Sequence, residues 1–349
     1  MREIMIDTNE PYRVLIGGGL LRDAGALIQS LERKPGAVAV ITDSHVGPLY
    51  AERMEESLKD FRHYVYTVDA GEENKTPETL IAILRSMAQH EITRADLVVA
   101  LGGGVVGDMA GFASAVYQRG MRFIQCPTTL LSAVDASVGG KTAVDLPEGK
   151  NLIGAFHQPA MVLCDTDTFQ TLDPARIADG AAEIVKHAAI ADEKLFDVMA
   201  AQDWQSDIDA IVARNVEIKR SFVLQDEHDL GQRQMLNFGH TIGHAVEAWS
   251  RFRLSHGQAV AVGMVMETRA ARRLGMTELA EDALIGILEA KGLPTAVDAT
   301  AEDILEFATR DKKRQSGAVT VVVPDRIGHA RLERLDMGRF RQYVEAGLP

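Results

Sequence analysis

The feature that most constrains this fold is a change of pattern along the chain, from alternating strands and helices to helices alone. In the first half, short runs rich in Val, Ile and Leu alternate with segments that have helical spacing, such as 47–59 and 77–90. Six runs are strand candidates: 13–16, 37–42, 63–68, 97–101, 122–126 and 161–164. Because strands that alternate with helices form mostly parallel sheets covered on both faces, the sequence predicts an α/β domain here. Its ligands would bind beyond the carboxyl ends of the strands.

After about residue 172 the strand candidates give way to helices, which are predicted over 175–201, 207–224, 237–251, 258–274 and 278–291. Gly275 and Gly292 stand where two of these helices should end. Near the C-terminus, 318–323 is a lone strand candidate, and Pro324 and Asp325 predict a turn directly after it. We therefore expect a Rossmann-like, mostly parallel sheet domain over 1–172 and a mainly α-helical domain over 173–349. A cleft between two such domains is the expected ligand site.

Composition excludes several classes of protein. Hydrophobic residues make up 46% of the 349, which is enough for a sizeable core, so intrinsic disorder is not the main state. The formal charge is −13, from 37 basic and 50 acidic residues. Such an acidic balance argues against broad binding to nucleic acid or to an anionic membrane, since both need a basic surface. It remains compatible with a local basic pocket for a small anion.

Targeting signals and cysteines point to the same compartment. No uncharged apolar run approaches the ~20 residues of a membrane span, and the N-terminus lacks the apolar core of a signal peptide. The two cysteines, Cys126 and Cys164, each end a short apolar run, which favours reduced thiols buried in strands. We expect a cytoplasmic protein that does not contact membranes.

A glycine-rich turn follows the strand candidate 97–101. Gly102, Gly104 and Gly107 satisfy the G-x-G-x-x-G pattern, in which backbone N–H groups close on a pyrophosphate at a helix start. The match by itself is weak, because any glycine-rich turn of an α/β protein can look like this. Its position is also unusual, since the dinucleotide fingerprint normally opens the first βα unit. Cofactor binding and an ordinary turn both remain open.

Acidic and basic residues follow two of the earlier strand candidates. Asp43 ends one, where a carboxylate can accept hydrogen bonds from ribose hydroxyls, and Glu72 and Lys75 follow another. Each of these short segments is also compatible with a solvated turn.

A second glycine-rich segment, 137–142, contains Lys141 but lacks the first glycine of the Walker pattern, so an ordinary P-loop is disfavoured. Lys150, Asn151 and Arg119 bring the set to three cations and an amide near one turn region. A small phosphorylated ligand suits these groups better than DNA does. The alternative is a solvated basic patch.

Histidines in the second half predict a metal site. His240 and His244 lie four residues apart, on one face of a helix, and His256 follows. Upstream, Glu183 stands on an Ala-rich helix. Two imidazoles and one carboxylate suit a Zn²⁺ site with an open position for substrate. The spacing does not decide whether His240 or His244 is the ligand, and a buried core pair or a phosphate contact is also possible.

Taken together, the motifs of the chain resemble those of the 3-dehydroquinate synthase family of sugar-phosphate cyclases. The resemblance covers nearly the whole length, in order and in spacing. It is carried by GGGVVGD at 102–108, PTTL at 127–130, VDASVGGKT at 134–142, GKN at 149–151, GAFHQP at 154–159, DE at 226–227, LNFGHTIGH at 236–244 and HG at 256–257.

The resemblance implies a dehydroquinate synthase-like fold and a homodimeric carbon–oxygen lyase that needs NAD and Zn²⁺ (or Co²⁺). It would convert 3-deoxy-D-arabino-heptulosonate 7-phosphate, a phosphorylated sugar acid, to 3-dehydroquinate and phosphate in the shikimate pathway. The implied steps are an oxidation by NAD that is later reversed, phosphate elimination and intramolecular aldol closure. A cyclase that makes a valiolone- or inosose-type ring is the alternative. A metal- and NAD-dependent alcohol dehydrogenase and a non-catalytic binding module are less compatible with lysines that bind phosphate.

The resemblance also assigns residues. Glu183, His240 and His256 resemble the metal ligands, which leaves His244 for hydrogen bonding or proton transfer. Positions similar to cofactor contacts are Asp43, Glu72, Lys75, Gly104, Val105, Asp108, Thr128, Thr129, Lys141, Lys150 and Thr171. Positions similar to substrate contacts are Arg119, Asp135, Lys141, Lys150, Asn151, Lys219, Arg233 and Asn237, with either Lys312 or Lys313. The chain departs from the family pattern at His45, Gln118, Arg176 and Gln258.

Overall fold

The computed structural model describes residues 1–308 and 317–349, so Lys312 and Lys313 lie outside the described residues. The described chain separates into two compact units, 1–172 and 173–349. Among the described residues, no helix is long and apolar enough to cross a membrane. Both cysteines are thiols buried in strands, as predicted.

The first unit is built on a seven-stranded sheet with strand order β1-β2-β9-β6-β5-β3-β4. Only the β1–β2 pair of this sheet is antiparallel; the other pairs are parallel, which confirms the predicted fold class. The elements are β1 (Arg2–Ile6), β2 (Tyr12–Gly17), α1 (Leu20–Gln29), β3 (Ala37–Asp43), α2 (Gly47–Ser57), β4 (Arg62–Val68), α3 (Pro77–Gln89), β5 (Leu97–Gly102), α4 (Gly104–Val116), β6 (Arg122–Pro127), β7 (Lys141–Leu146), β8 (Gly149–Phe156) and β9 (Met161–Asp165).

Alternation along the central strands covers both faces of this sheet. On β3, Val38 and Val40 pack with the apolar faces of α1 and α2, whereas Ala39 and Ile41 pack with those of α3 and α4. Helix α3 begins as predicted, because the Thr76 hydroxyl accepts a hydrogen bond from the Thr79 N–H at 3.2 Å. The carboxyl ends of the parallel strands therefore meet at one edge of the sheet.

The sequence patterns missed two features of this unit. The edge strand β1 pairs antiparallel with β2, although its residues are mostly exposed and show no buried run. A separate two-stranded hairpin, β7–β8, occupies 141–156, where no strand was predicted. Its strands contain glycine and polar residues, which weaken the strand signal.

The second unit is mainly helical, as predicted, and its C-terminal part packs α8, α9, α11 and α12 around a hairpin. The elements are α5 (Pro174–Ala191), α6 (Glu193–Ala200), α7 (Ile208–Gln225), α8 (His240–Trp249), α9 (His256–Arg273), α10 (Asp282–Ala290), α11 (Ala301–Ala308), β10 (Ala318–Arg326), β11 (His329–Asp336) and α12 (Met337–Gly347). Gly275 and Gly292 follow helices with φ of +66° and +75°, the conformation that ends a helix.

Three boundaries in this unit differ from the prediction. The helix predicted over 175–201 is broken at Asp192, whose carboxylate caps α6 through the Leu195 N–H. The helix predicted from residue 237 starts at His240, because a 3₁₀ turn ends at Asn237 and Gly239, with φ +75°, interrupts the helical backbone before His240. The strand predicted over 318–323 is confirmed as β10, but it does not end at Pro324 and is not alone: it continues to Arg326 and pairs with β11.

Candidate active site

The carboxyl ends of β5 and β6 lie side by side, and a glycine turn follows β5. Gly103 precedes α4 and offers no side chain to cap it, so the first N–H groups of α4 lack a side-chain cap. The Thr128 N–H donates to the Gly102 carbonyl at 2.9 Å. The Thr128 hydroxyl is buried and has no hydrogen-bond partner among the described residues. Free N–H groups and an unsatisfied hydroxyl at one turn are suited to bind a dinucleotide phosphate.

Other predicted cofactor contacts in this unit already make local hydrogen bonds. Asp43 ends β3, and its carboxylate accepts the N–H groups of His45 and Val46 at 2.8 Å. Thr129 accepts the Ser132 N–H at 3.2 Å. The Thr171 hydroxyl donates to the Thr168 carbonyl at 3.0 Å. Val105 follows Gly104 in the first turn of α4.

Lys75 is the centre of a charged cluster that the structure assembles from distant parts of the first unit. Its Nζ lies 2.6 Å from both Asp108 Oδ2 and Asn151 Oδ1, and 4.0 Å from Glu72 Oε1. Lys150 Nζ lies 3.3 Å from the same Glu72 oxygen. Burial works to lower the pKa of Lys75, but Asp108 and Glu72 outweigh it and raise the pKa. The buried amine therefore stays a cation.

The predicted phosphate-binding groups are not all near one turn. In the β7–β8 hairpin Lys141 pairs with Phe156 at the open end, whereas Lys150 follows the turn that joins Leu146 to Gly149. At about 3.3 Å per residue, the two ends of the hairpin are well separated. The expectation that Arg119, Lys141 and Lys150 cluster at one turn is therefore wrong for the two lysines.

Two of these residues have unusual backbone conformations. Arg119 has φ of +69° and Asn151 has φ of +56°, values that side-chain-bearing residues rarely adopt. Such strain is commonly found at binding and catalytic sites. Asp135 lies on a single π-helical turn over Ser132–Ala136, another irregularity frequent at functional sites.

In the second unit, three predicted metal ligands meet in one group. Glu183 projects from α5, and His240 and His256 are the first residues of α8 and α9. One ligand atom from each lies within 4.8 Å of the others. Glu183 Oε1 is 3.2 Å from His256 Nε2 and 3.6 Å from His240 Nε2. Two imidazoles and one buried carboxylate that converge in this way match the ligand set of a catalytic zinc site.

His244 forms the third imidazole of the group. Its ring centroid lies 5.2 Å from that of His240 and 5.9 Å from that of His256. His244, Glu247 and His256 make a second compact set, in which Glu247 Oε2 is 3.8 Å from His256 Nδ1. Glu183 thus contacts His240 and His256, and the exposed His244 sits beside them. This arrangement favours His240 as the ligand and leaves His244 accessible to solvent.

The two ligand histidines have pKa values that shift in opposite directions. Burial, followed by the nearby Lys186 ammonium, holds the pKa of His240 well below its usual range. Burial also disfavours the charged form of His256, but hydrogen bonds to Glu183 and Glu247 outweigh it and raise the pKa of His256 to about 10. His240 is therefore neutral and ready to bind a cation, whereas a metal must displace a proton from His256.

Lys186 and Glu247 are site residues that the sequence analysis did not single out. Lys186 is buried on α5, and its Nζ lies 2.5 Å from Glu183 Oε2. The signal was available, because Lys186 follows Glu183 by three residues, on the same helical face. Glu247 lies on α8 one turn after His244 and could have been found in the same way.

The remaining predicted substrate contacts lie on α7 and on the 3₁₀ turn before α8. Lys219 is buried on α7, and Arg233 is buried on the turn Gln232–Asn237, which packs against α5 and α7. The Arg233 guanidinium donates to the Glu227 carbonyl at 2.7 Å. The carboxylate of Asp226 accepts the Arg233 backbone N–H at 3.2 Å. Asn237 ends this turn, three residues before His240.

Comparison with known proteins extends the likeness over most of the chain. Residues 65–179 match the family described as 3-dehydroquinate synthase N-terminal, and residues 180–314 match 3-dehydroquinate synthase C-terminal. A 3-dehydroquinate synthase from Caulobacter vibrioides is 44% identical over 339 residues, which is 91% of each chain.

Solved structures share the fold. A 2-epi-5-epi-valiolone synthase from Streptomyces hygroscopicus, with NAD⁺ and Zn²⁺ bound, has a TM-score of 0.86 and 26% identity, over 96% of this chain and 95% of that one. A 2-deoxy-scyllo-inosose synthase, complexed with carbaglucose-6-phosphate, NAD⁺ and Co²⁺, has a TM-score of 0.89 and 24% identity. The match covers 99% of this chain and 100% of that one. The matched domains and the 44% identity over most of both chains place the protein in the 3-dehydroquinate synthase family.

Proposed function

We propose that the protein converts 3-deoxy-D-arabino-heptulosonate 7-phosphate to 3-dehydroquinate and phosphate, with NAD and a divalent metal as cofactors. The observation that carries the proposal is the Glu183–His240–His256 group in a chain that is 44% identical to a 3-dehydroquinate synthase. Cyclases that make other rings share the fold at only 24–26% identity, so they are the second candidate.

The donor set fits Zn²⁺ or Co²⁺. Zn²⁺ is the ion bound in the valiolone synthase, and two imidazoles with a carboxylate suit either metal. For NAD, the uncapped start of α4 and the unsatisfied Thr128 hydroxyl offer phosphate and hydroxyl contacts. When bound, the metal would lower the pKa of a coordinated substrate hydroxyl, and NAD would accept a hydride and later return it.

The chain's own residues would bind and orient the substrate. Its phosphate and its carboxylate are two anions, and the candidate cations are few: Arg119, Lys141 and Lys150 in the first unit, with Lys219 and Arg233 in the second. Following the resemblance, we assign anion binding to Arg119, Lys141 and Lys150, with the Asn151 amide as a further donor; because Lys141 and Lys150 lie at opposite ends of the β7–β8 hairpin, they would contact different anionic groups.

Proton transfer is assigned to His244. Its imidazole is exposed and lies beside both ligand histidines, so it can exchange a proton with solvent while it contacts the substrate. Asp135 is assigned a place near the reacting carbons from the family resemblance, and its position on a π-helical turn, a feature frequent at functional sites, is compatible with that role.

We further propose that residues 1–172 bind NAD and residues 173–349 bind the metal and most of the substrate. A cytoplasmic homodimer is the form proposed for the active enzyme. Two buried thiols support a reducing compartment, since disulfides predominate in oxidising ones. The dimer is carried over from the family resemblance, and sedimentation of the purified protein tests it.

One assay tests the reaction. Purified protein is incubated with NAD, Zn²⁺ and the heptulosonate phosphate, and both phosphate and NADH are followed. Phosphate release without NADH accumulation is expected, because the hydride returns to the substrate. Steady formation of NADH from a simple polyol would assign a dehydrogenase instead. Turnover of sedoheptulose 7-phosphate or glucose 6-phosphate, without turnover of the heptulosonate, would assign one of the other cyclases.

A further inference from the structure

We propose that two buried carboxylates, Glu267 and Asp179, are positioning residues that hold the metal-binding histidines in place. Each carboxylate accepts hydrogen bonds from residues on either side of one histidine: two backbone N–H groups in the case of Glu267, and one hydroxyl and one N–H in the case of Asp179. This inference rests on the metal site proposed above, and it assigns the rigidity of that site to residues that do not touch the metal.

Both histidines stand at the start of a helix, where backbone N–H groups need hydrogen-bond acceptors from outside the helix. His240 is the first residue of α8, and His256 is the first residue of α9. The first N–H groups of a helix have no partner within the helix and otherwise depend on a capping side chain. The residue before His240 is Gly239, which has no side chain to supply one.

Glu267 provides the missing cap from another helix. It lies on α9 and is fully buried, and its Oε2 accepts the Gly239 N–H at 3.0 Å. Its Oε1 accepts the Ile242 N–H at 3.2 Å. The two bonds lie on either side of His240 along the backbone. A carboxylate at this position also counters the positive end of the α8 dipole.

Asp179 contacts the start of α9, which is already capped by Ser255 and Gln258. It lies on α5, four residues before Glu183 and therefore on the same helical face. Its carboxylate accepts hydrogen bonds from the Ser255 hydroxyl and the Gly257 N–H, the residues on either side of His256. Gly257 permits this contact, because a Cβ there would lie 2.5 Å from the Asp179 Cα.

The two contacts link all three ligand-bearing helices in one series. Helix α5 carries Glu183 and, through Asp179, holds the start of α9; α9 carries His256 and, through Glu267, holds the start of α8. Metal–ligand distances in protein sites lie within about 0.2 Å of their standard values. Removing either carboxylate contact would let a helix start shift by more than that, so metal affinity should fall without any change of ligand.

The test uses the full-length protein after chelation and measures Co²⁺ binding and the visible Co²⁺ absorption spectrum. In Glu267→Gln the amide nitrogen would face one of the two N–H donors, so one bond is lost. In Asp179→Asn, an amide nitrogen that faces the Gly257 N–H would lose that bond, and one that faces the Ser255 hydroxyl would donate to it in place of a charged acceptor. We expect each variant to bind Co²⁺ about 10–100-fold more weakly, with a changed spectrum, as for other residues that orient metal ligands.

Tyr343→Phe is the matched control. The Tyr343 hydroxyl donates to the Glu267 backbone carbonyl at 2.8 Å, and it is buried beside the same turn of α9. The substitution removes a buried hydrogen bond but leaves the Glu267 carboxylate and its contacts intact. It should lower thermal stability and leave Co²⁺ affinity and spectrum as in the wild type.

Each remaining outcome counts against a defined part of the proposal. Wild-type Co²⁺ affinity and spectrum in both folded carboxamide variants would overturn the positioning role alone. A loss in Tyr343→Phe as large as in Glu267→Gln would overturn it as well, by showing a general effect of stability. If the wild type does not bind Co²⁺, or if His256→Ala binds it equally well, the metal assignment fails and the positioning role with it. Should Glu267→Gln fail to fold, Asp179→Asn decides the question.

Discussion

His240 and His256 belong to one ligand group, yet their surroundings favour opposite protonation states. His240 is buried next to the Lys186 ammonium, whereas His256 lies between the carboxylates of Glu183 and Glu247. A pair of this kind combines one imidazole that is already deprotonated with one that exchanges its proton for a cation.

The first prediction concerns His256 itself. His256→Ala should lose both bound metal and activity, because two of the three ligand atoms remain and neither can replace the third. The far-ultraviolet circular dichroism should stay as in the wild type, since the side chain is partly exposed at a helix start. Metal content by atomic absorption, measured beside the assay, checks this; full activity in the variant would refute the ligand assignment.

The second prediction concerns pH. In the metal-free protein the pKa of His256 is raised from an unfolded value near 6.5 to about 10. Its contribution to stability is therefore complete below pH 6.5 and is lost as pH rises towards 10. A bound metal replaces that proton, so the metal-loaded protein escapes this loss.

We expect the difference in Tm between the Zn²⁺-loaded and the chelated protein to grow from pH 6.5 to pH 9. Thermal melts at half-unit steps measure it, and other titrating groups largely cancel in the difference. His256→Ala should remove the trend. A difference that stays constant or shrinks with pH would contradict the protonation state assigned to His256.

Between elements, helices α8 and α9 of the second unit pack against each other in direct backbone contact. A Cβ added at Gly263 on α9 would lie 1.9 Å from the Gly239 carbonyl oxygen, and one added at Gly239 would lie 2.5 Å from Met264 Cγ. The glycines let the two helices that begin with ligand histidines approach each other directly.

The third prediction is that Gly263→Ala will lower the free energy of unfolding by about 1–3 kcal/mol, because α8 must move away from α9. It should weaken metal binding as well, since His240 moves with α8. Urea unfolding and Co²⁺ titration measure the two effects. The matched control is Gly286→Ala in the middle of α10, where a Cβ would meet nothing within 4 Å. That change should stabilise the protein by about 0.5–1 kcal/mol and leave the metal site unaffected.

Elements were predictable where one local signal dominated. The buried strands and the start of α3 at Thr76 and Pro77 were found, because apolar runs and capping residues act locally. The break at Asp192 was missed, since apolar spacing continues through it and only the cap geometry ends α5. The position of Lys141 and Lys150 at opposite ends of a hairpin depends on strand register, which their spacing along the chain does not reveal.

At the site, the candidate metal ligands were easier to predict than the residues that position them. Glu183, His240 and His256 were identified from motifs, and the choice between His240 and His244 needed the contacts of Glu183. Glu267 carries no recognisable motif. Its role arises only from the packing of α9 against α8, which no sequence spacing encodes.

For the whole molecule, the acidic balance and the local cations have separate consequences. A charge of −13 over 349 residues repels polyanions, while Lys75 and Lys150 stand among acidic side chains in the first unit. The candidate cofactor contacts all lie within 1–172, and the candidate metal ligands all lie within 173–349. NAD binding and metal binding should therefore depend on separate sets of residues.

The fourth prediction tests that separation by calorimetry. Lys75→Met should raise the Kd for NAD at least tenfold, because it removes the cation that joins Asp108 to Asn151. It should leave Co²⁺ affinity unchanged. Conversely, removal of the metal from the wild type by chelation should leave the Kd for NAD within about threefold of its value in the metal-loaded protein. Loss of both ligands in Lys75→Met would contradict independent binding.

Glu183 and His256 are 73 residues apart in the chain, and the contact between them exists only when α5 and α9 have packed. A nascent or partly folded chain therefore has no competent set of three donors to capture an ion. Metal acquisition must come after this unit has folded, so the protein made in a metal-poor cell would accumulate as a folded apoenzyme. Its activity could then be restored by adding the ion, without refolding.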